Sequence, residues 1–532
     1  MQLGTSLFST FVQLPWLSLL PAVVGIPLMA AIATLVLASV GKREKLSAAI
    51  SHLAALLQLL LVIGLLFTVS GYSEGYRYAL GRWGAPLGID LFIDGLSVTL
   101  LLFSALIVLV LGIYSSHYFS GGKRAHFWPL WWLLNTGLNT LFIAGDAFNI
   151  YVALELIGLS SVALVALSNT PKALSAALRY ALVGLLGSLL YLFGVALLYR
   201  TYGTLDLAQL AALSEASSMT WAVMALITVG LILKTALLPL HFWLPHAHAN
   251  APVPVSAVLS ALVVKASFYL LIRFWFEVLT PSVTHVAANF LGALGALAII
   301  WGCVRAYKAR RLKLLVAYST VAQIGYLFLL FPLAFHQGIN HAALVAVVYF
   351  VVAHALAKSA MFLACGNIHT AYGHDDITRL KGVALGQPLA LTTFAIAGVS
   401  LIGLPPSSGF IAKWLMLNTA IDNGQWWWIA VIVVGGLLSV LYIGRVLNLA
   451  FEQKPSSGGS RFASDVVSTR SVPVRMTVCG LCLAVSAVAL GFNAQWLMQL
   501  LNHAAQPLSA EVGAMCASCS IGTHVPEPGD VQ

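Results

Sequence analysis

The 532-residue chain is too apolar and too weakly charged to be a water-soluble protein. Hydrophobic residues make up 60% of it, charged residues only 8%, and the mean hydropathy is +0.93, whereas a soluble domain contains roughly 25% charged residues. The formal net charge is +10, but the basic residues are dispersed along the chain, which argues against a nucleic-acid-binding face. We therefore predict an all-α membrane protein with many spans and exclude soluble enzymes, DNA-binding proteins and secreted disulfide-rich modules.

A helix needs about 20 mainly apolar residues to cross the hydrocarbon layer, and about fourteen segments of the chain satisfy this requirement. The first has neither a basic flank before it nor a small-residue cleavage site after it, so we keep it as a span rather than a signal peptide. The predicted spans are 17–40, 47–70, 95–116, 127–145, 147–168, 173–199, 219–240, 252–278, 285–307, 312–332, 339–364, 386–416, 426–450 and 473–497.

The distribution of basic residues predicts the orientation of these spans. Basic clusters follow the odd-numbered spans, as at Lys42, Arg43 and Lys45 and again between Arg305 and Lys313, whereas the loop 333–338 contains none. By the positive-inside rule the loops from odd to even spans are cytoplasmic. With an even number of spans, both termini are expected outside the cell inner (plasma) membrane.

Charged residues inside apolar segments are the strongest functional signal in the chain. Each ionised side chain at the bilayer centre costs about 2.5–3.5 kcal/mol, so five of them facing lipid would cost about 12–17 kcal/mol. They are therefore expected to face one another or water, although Lys413 alone could also extend to the membrane surface. A carboxylate partner raises the pKa of a lysine and burial lowers it, which is the basis of a proton relay. The five residues are Glu155, Lys234, Lys265, Lys358 and Lys413.

Two of the predicted spans, the seventh and the twelfth, are interrupted. Pro239 and Pro245 follow Lys234, and Gly403 with Pro405 precedes Lys413. Proline removes a backbone donor, and unwound backbone at membrane depth survives only where it lines a cavity or is buried in protein. A pair of interrupted spans in corresponding positions is typical of inverted-repeat transporters.

The positions of the interrupted spans predict how the chain is organised. A repeat of five spans crosses the membrane an odd number of times, so the second copy must be inverted relative to the first. The predicted segments are a three-helix N-terminal part at 1–126, the two five-helix repeats at 127–278 and 285–450, a loop with the last span at 451–497, and a polar tail at 498–532.

Histidines accumulate near the interrupted seventh span and in the eleventh. Because the pKa of histidine lies near cellular pH, these residues are candidates for a proton path, and buried polar packing is the alternative. A haem or metal ligand set is less favoured, because there is no C-x-x-C-H motif and no adjacent cysteine or carboxylate. The residues are His241, His246, His248, His341 and His354.

The polar tail contains a C-x-x-C motif formed by Cys516 and Cys519. We interpret it as a local disulfide or as two ordinary thiols, because no second such pair lies outside a span. The sequence therefore predicts no metal site and no bound cofactor.

Four blocks of the sequence resemble the signature blocks of the antiporter-like membrane subunits. This family includes the D subunit of Mrp-type sodium/proton antiporters, the proton-pumping membrane subunits of respiratory complex I and their counterparts in membrane-bound hydrogenases. The resemblance covers roughly 90–450 and implies fourteen spans with two inverted five-helix repeats. The blocks are GDAFNIYVALELIGLSSVAL, KTALLPLHFWLPHAHANAPVPVSAVLSALVVKASFYLLIR, AHALAKSAMFLACG and GLPPSSGFIAKW.

The resemblance also implies roles for matching residues. It makes Glu155 the acid paired with Lys234, and Lys265 the central lysine of the path. His354 and Lys358 correspond to the turn that joins the two halves, and Lys413 to the lysine at the outlet. His246 stands where the family usually has an acid. The resemblance therefore does not assign the route by which ions enter the first half.

The most similar function is that of the D subunit in a monovalent cation/proton antiporter. The alternatives are a proton-pumping subunit of a complex I-type NADH-quinone oxidoreductase or hydrogenase, and a membrane subunit that energises inorganic-carbon uptake with a zinc protein partner. No nucleophile triad, phosphate-binding loop or dinucleotide fingerprint is present, which disfavours a self-contained enzyme. The expected partners are other membrane subunits, protons and Na⁺ or another monovalent cation.

Overall fold

A computed structural model of the chain describes residues 15–40, 44–70, 72, 75–84, 88–336, 338–452 and 470–504. This part is almost entirely helical, which confirms the predicted all-α class. The C-x-x-C motif of Cys516 and Cys519 lies outside the described residues.

The described residues as far as Tyr202 form six long helices and one small hairpin. The strands β1 and β2 are antiparallel, with Tyr76 opposite Ile93 and Ala79 opposite Asp90. In chain order the elements are α1 (Ala22–Val40, after a 3₁₀ turn at Trp16–Leu19), α2 (Glu44–Val69), β1 (Tyr76–Ala79), β2 (Asp90–Ile93), α3 (Gly95–Tyr118), α4 (Gly122–Ile143), α5 (Ala147–Ala166) and α6 (Pro171–Tyr202).

The second part contains the two interruptions predicted from proline and glycine. Short helices lie between the long ones at Leu207–Leu213, Leu244–Asn250 and Val383–Gly386. The long elements are α7 (Ser218–Thr235), α8 (Val253–Val278), α9 (His285–Lys308), α10 (Leu312–Ala334), α11 (His341–Tyr372), α12 (Pro388–Ile402), α13 (Ser408–Asp422), α14 (Trp426–Phe451), α15 (Val474–Phe492) and α16 (Ala494–Ala504).

Twelve helices in the described part are long and apolar enough to cross a membrane, which confirms a multi-pass membrane protein. Two of the fourteen predicted spans fall outside this set. The fourth corresponds to α4, whose 22 residues include basic and amide side chains. The twelfth is divided into α12 and α13, each 15 residues long. The total of fourteen spans and the inverted repeats remain predictions.

Three helices form the interior of the bundle. Among the 18 most apolar consecutive residues of each helix, the buried share is 100% in α8, 94% in α11 and 89% in α10. In the segment that contains α1 the buried share is 28%, so α1 largely faces outward. The long helix α11 packs against α8, α10, α12, α13 and α15. Lysines carried by α8, α10 and α11 therefore lie among protein groups rather than lipid tails.

Glycines allow two helix pairs to approach closely. A Cβ atom on Gly187 of α6 would lie 2.8 Å from the carbonyl oxygen of Gly230 of α7. In the pair formed by α9 and α10, a Cβ atom on Gly295 would lie 2.6 Å from the carbonyl oxygen of Gly325. Small residues at such contacts are typical of membrane helix packing. The first contact sets the position of α7, which carries Lys234.

Candidate ion-translocation site

The first interruption begins at Ala236, two residues after Lys234. Helix α7 ends at Thr235, and Ala236 adopts a left-handed conformation with φ of 61°. The indole nitrogen of Trp243 donates a hydrogen bond of 2.9 Å to the carbonyl oxygen of Leu233, which satisfies one of the backbone acceptors that the helix end leaves free. Lys234 thus occupies the last turn of α7, where the helix dipole favours a positive charge.

Glu155 and Lys234 line the same cavity, which has a volume of about 170 Å³ and walls from α5, α6, α7 and α8. Among the described residues no ion pair within 4.0 Å joins the two side chains, and the Oε1 atom of Glu155 has no hydrogen-bond partner. One water requires roughly 10–15 Å³ of such space. The cavity lined by the carboxylate and the ammonium group therefore has room for several waters.

The cavity lies at the edge of the bundle. Leu159 and Leu185, which line it, are 68% and 50% exposed. The cavity of Glu155 is thus bordered by side chains that face outward from the bundle. Glu155 is the one intramembrane carboxylate predicted from the sequence.

Lys265 lies in the interior of the protein, on helix α8. It is 2% exposed, and its ammonium group donates a hydrogen bond to the carbonyl oxygen of Ser260. Ser260 belongs to a π-helical segment, Leu259–Val263, and its hydroxyl is hydrogen-bonded to that of Thr320 on α10 at 2.9 Å. The central lysine is therefore bound to polar groups of the protein.

Lys358 and His354 lie one turn apart on α11. Lys358 is fully buried and donates hydrogen bonds to the carbonyl oxygen of Val316, at 3.1 Å, and to the hydroxyl of Ser319, both on α10. His354 is 2% exposed, and neither of its ring nitrogens has a hydrogen-bond partner in the described part of the chain. The structure thus brings a free imidazole next to a buried ammonium group.

The second interruption holds Lys413. Helix α12 ends at Ile402, and the Lys413 ammonium group donates to the carbonyl oxygens of Ile402 and Leu401 at 2.8 and 3.0 Å. It also lies 4.5 Å from the centre of the Tyr326 ring, an arrangement typical of cation–π contacts. Lys413 is 6% exposed, so its side chain points into the protein and does not extend to the membrane surface.

These buried cations form one electrostatic group. Lys265, Lys358 and Lys413 each lie close enough to His354 to interact with it through charge. Because they belong to α8, α11 and α13, the group joins the parts of the chain before and after α9. The structure therefore brings together four of the six residues assigned to the path, and it brings Glu155 and Lys234 together in a separate cavity.

The remaining histidines differ in their surroundings. His248 is 1% exposed, and its two ring nitrogens have no hydrogen-bond partner among the described residues. His241 and His341 are only partly buried, and His246 is exposed. Of this set only His248 lies close enough to Lys265 to interact with it electrostatically. The exposed His246 does not reach this group.

Two buried cations of the structure were not identified from the sequence. Lys313, 5% exposed, donates a hydrogen bond of 2.5 Å to the carbonyl oxygen of Ala251. Arg273, 3% exposed, forms ion pairs with Asp94 and Glu277. Lys313 follows a basic cluster and Arg273 lies near the end of a predicted span, so both positions were compatible with membrane surfaces. Arg273 could have been identified from the sequence by its spacing, because it follows Lys265 by eight residues, or about two turns, on the same helix.

A metal site has no support in the described ranges, where no group of three or more His, Cys, Asp or Glu side chains could hold an ion. The buried group around His354 instead consists of ammonium donors, carbonyl and hydroxyl acceptors and an imidazole. Imidazole and amine groups both bind and release protons. The arrangement is therefore suited to proton exchange.

Comparison with known proteins places the chain among membrane subunits of ion-translocating complexes. The family model for the transmembrane region of NADH:quinone oxidoreductase and Mrp antiporter proteins matches residues 144–439. The N subunit of the NADH-quinone oxidoreductase of Desulforudis audaxviator is 33% identical over 81% of this chain and 88% of its own length. The D subunit of the Na⁺/H⁺ antiporter of Alkalihalophilus pseudofirmus is 27% identical over 83% of this chain and 88% of its own length.

A solved structure of the Mrp complex from a Dietzia species contains a chain with the same fold. The TM-score is 0.84 and the sequence identity 26%, and the alignment covers 93% of this chain and 99% of that one. The match to the family model and the similarity to both kinds of relative agree with the resemblance found in the four sequence blocks. The chain belongs to the NADH:quinone oxidoreductase/Mrp antiporter family of membrane proteins.

Proposed function

We propose that this chain is a proton- or cation-translocating subunit of a multisubunit membrane complex, with the role of the D subunit in a monovalent cation/proton antiporter. The observation that carries the proposal is the buried group of Lys265, Lys358 and Lys413 around His354. Buried charges are costly unless they are paired or hydrogen-bonded, and membrane proteins retain them mainly along ion paths. The hydrogen bonds of all three lysines to carbonyl or hydroxyl oxygens provide that compensation.

In this proposal a proton is taken up in the first half at Lys234 and passes through Lys265. It continues past His354 and Lys358 to Lys413, from which it leaves the second half. The partly buried or exposed His241, His246 and His341, together with the buried His248, are the accessory candidates named from the sequence.

The Glu155–Lys234 cavity supplies a switch for this path. At 4 Å and an effective dielectric constant of 20, two unit charges interact by about 4 kcal/mol. A membrane potential of 100 mV contributes about 2.3 kcal/mol per charge. Because the two energies are comparable, movement of Lys234 toward or away from Glu155 across the cavity could couple proton binding to ion flow.

The chain is expected to act with other membrane subunits. The similar chain from the Dietzia species belongs to a complex, and the cavity of Glu155 and Lys234 borders exposed side chains at the edge of the bundle. A neighbouring subunit at this edge would shield the carboxylate from lipid. We place the complex in the cell inner membrane with both termini outside, as the basic loops predict.

A second candidate function is that of a proton-pumping subunit in a complex I-type oxidoreductase. Its support is the similarity to the N subunit of the Desulforudis audaxviator enzyme, which is 33% identical to this chain. The two candidates differ in the driving force. An antiporter moves protons when a Na⁺ or other cation gradient is imposed, whereas an oxidoreductase subunit moves them only when electrons flow through its complex.

The proposal can be tested on the intact complex in inverted membrane vesicles, with proton movement followed by a pH-sensitive dye. Lys265→Met should abolish proton movement driven by a cation gradient or by electron donors while leaving assembly intact. Lys381→Met is the matched control, because Lys381 is an exposed lysine paired with Glu452 at 2.7 Å. Proton movement at the wild-type rate in the Lys265→Met complex would overturn the proposal.

A further inference from the structure

A row of polar side chains continues from Lys265 along α8 toward the hairpin formed by β1 and β2. Tyr269, Arg273 and Glu277 follow Lys265 at intervals of four residues, so all four share one face of the helix. At 1.5 Å per residue the row spans about 18 Å. Lys265, Tyr269 and Arg273 are buried and Glu277 is partly buried, so the row leads from the interior of the protein to its hairpin side.

Arg273 is bound on the hairpin side by two carboxylates. Its guanidinium nitrogens donate to Oδ1 of Asp94 at 2.7 Å and to Oε1 of Glu277 at 2.5 Å. The third nitrogen, Nε, donates to the hydroxyl of Tyr269 at 2.9 Å, and that hydroxyl donates to the carbonyl oxygen of Phe142 at 2.9 Å. Between Lys265 and the hairpin, the polar groups of the row are thus bound to one another and to backbone.

The hairpin adds a second layer over this group. Arg77 of β1 forms an ion pair of 2.8 Å with Asp206, and the guanidinium carbons of Arg77 and Arg273 both lie 5.5 Å from the centre of the Phe92 ring. A cavity lined by Arg77, Phe92, Arg273 and Glu277 has a volume of only about 10 Å³. This is about the space that a single water needs, so the cavity beside Arg273 has room for about one water.

The opposite end of α8 is different. His248 of the short helix Leu244–Asn250 lies beside the start of α8, where its carbonyl oxygen accepts a hydrogen bond of 2.9 Å from the Ser256 hydroxyl. It is 1% exposed, and its two ring nitrogens lack a partner in the described part of the chain. Buried polar groups normally have a partner, which is often water. Near the start of α8, His248 thus still has hydrogen-bonding capacity, whereas the Arg273 end of the row is satisfied by protein groups.

We propose that Arg273, held by Asp94 and Glu277, closes the route between Lys265 and the hairpin side of the membrane to protons and cations. A guanidinium group does not release its proton in proteins, so it cannot pass one on. A fixed positive charge also repels cations, as in other selective pores. A central lysine open to both sides would let protons leak without coupling, so a closure on one side is needed. This inference rests on the proposed role of Lys265.

The alternative role for the three residues is to join α8 to the start of α3 without acting on ions. Both roles predict a loss of stability when Arg273 alone is replaced, because two buried carboxylates then lack their partner. Only the barrier role predicts that protons cross the membrane passively. The decisive readout is therefore the proton leak of assembled complexes in the absence of coupled transport.

The experiment uses the full complex in liposomes with a pH-sensitive dye inside, and proton entry is followed after a pH jump in choline buffer free of sodium and potassium. For Arg273→Gln we expect the passive proton leak to rise about tenfold, which corresponds to about 1.4 kcal/mol of lost barrier. Arg305→Gln is the matched control, because this exposed arginine at the end of α9 contacts Tyr318 and pairs with no carboxylate among the described residues. An unchanged leak in the assembled Arg273→Gln complex would overturn the barrier role.

A triple variant keeps the test valid if Arg273→Gln fails to assemble. Arg273→Met with Asp94→Asn and Glu277→Gln leaves no unpaired charge, and neutral replacement of buried ion groups is often tolerated. It should assemble and leak as Arg273→Gln is expected to; an assembled triple variant with the wild-type leak would refute the barrier.

Adding Lys265→Met to a leaking variant tests whether the leak uses the central lysine. The added substitution should suppress the leak, and a leak that persists would overturn the assignment of Arg273 to the Lys265 route. Retained coupled transport in Lys265→Met alone would instead reject the proposed function. The failure of one proposal can thus be distinguished from the failure of the other.

Discussion

Replacing Lys413 by methionine separates the role of its charge from the role of its packing. Methionine keeps an unbranched apolar side chain of similar length but removes the ammonium group that donates to Leu401 and Ile402. We expect the complex to assemble with nearly normal stability and to lose cation-coupled proton transport. Lys413→Arg should also be inactive, because it retains the charge but does not exchange a proton at cellular pH.

The expected change in stability follows from opposing terms. Two hydrogen bonds from a charged group contribute about 1.5–3 kcal/mol each, and the contact with the Tyr326 ring adds about 0.5–2 kcal/mol. Their loss is offset by the desolvation cost of a buried ion, which is several kcal/mol. We therefore expect the free energy of unfolding to change by no more than about 2 kcal/mol.

The measurement compares thermal stability of the purified complex with proton flux in inverted vesicles. Lys381→Met again serves as the control, since it removes an ammonium group from a surface ion pair. Wild-type flux in Lys413→Met would show that the ammonium group is not needed. Wild-type flux in Lys413→Arg alone would show that its charge matters and its proton exchange does not; either result refutes the reasoning.

Three further substitutions test other parts of the structure. Glu155→Gln should reduce coupled proton flux yet change the melting temperature little, because no direct ion pair is lost; a large drop in melting temperature would contradict this. Burial alone would raise the pKa of Asp94, but Arg273 holds that pKa below its usual value. The contribution of Asp94 to the stability of the folded protein should therefore be full above about pH 4 and decline as the pH falls. Asp94→Asn should therefore remove this pH dependence from melting curves, and an unchanged dependence would contradict the assignment. Gly409→Ala should prevent assembly, because the new Cβ atom would lie 1.8 Å from a carbonyl oxygen of α12, whereas Gly444→Ala has open space and should assemble normally.

The sequence was sufficient to predict the class of the protein and the burial of its intramembrane lysines. An apolar chain with 8% charged residues has no stable water-soluble form, and the helix is the structure in which each apolar segment satisfies its own backbone groups in lipid. The cost of a lysine facing lipid requires that Lys265, Lys358 and Lys413 turn inward. Prolines and glycines likewise marked the two interruptions, because their backbone restrictions are local.

The partners of the buried charges could not be predicted from the sequence. The ion pair of Arg273 with Asp94 joins residues 179 positions apart, and helical periodicity carries no information on which distant helix end lies opposite. For the same reason the resemblance could imply a Glu155–Lys234 pair but not its geometry: the two residues line a common cavity, and no ion pair within 4.0 Å joins them among the described residues.

His246 and His248 show this limit within three residues. Both lie on the short helix Leu244–Asn250, and both were equal candidates for the path. His246 is exposed, whereas His248 is buried near Lys265. Composition, hydropathy and backbone restrictions act locally or on the whole chain, so the sequence determined that helices cross a membrane and that their charges turn inward. The packing of α8, α10 and α11 decided which charges meet, because residues far apart in the chain become neighbours only when the helices pack together.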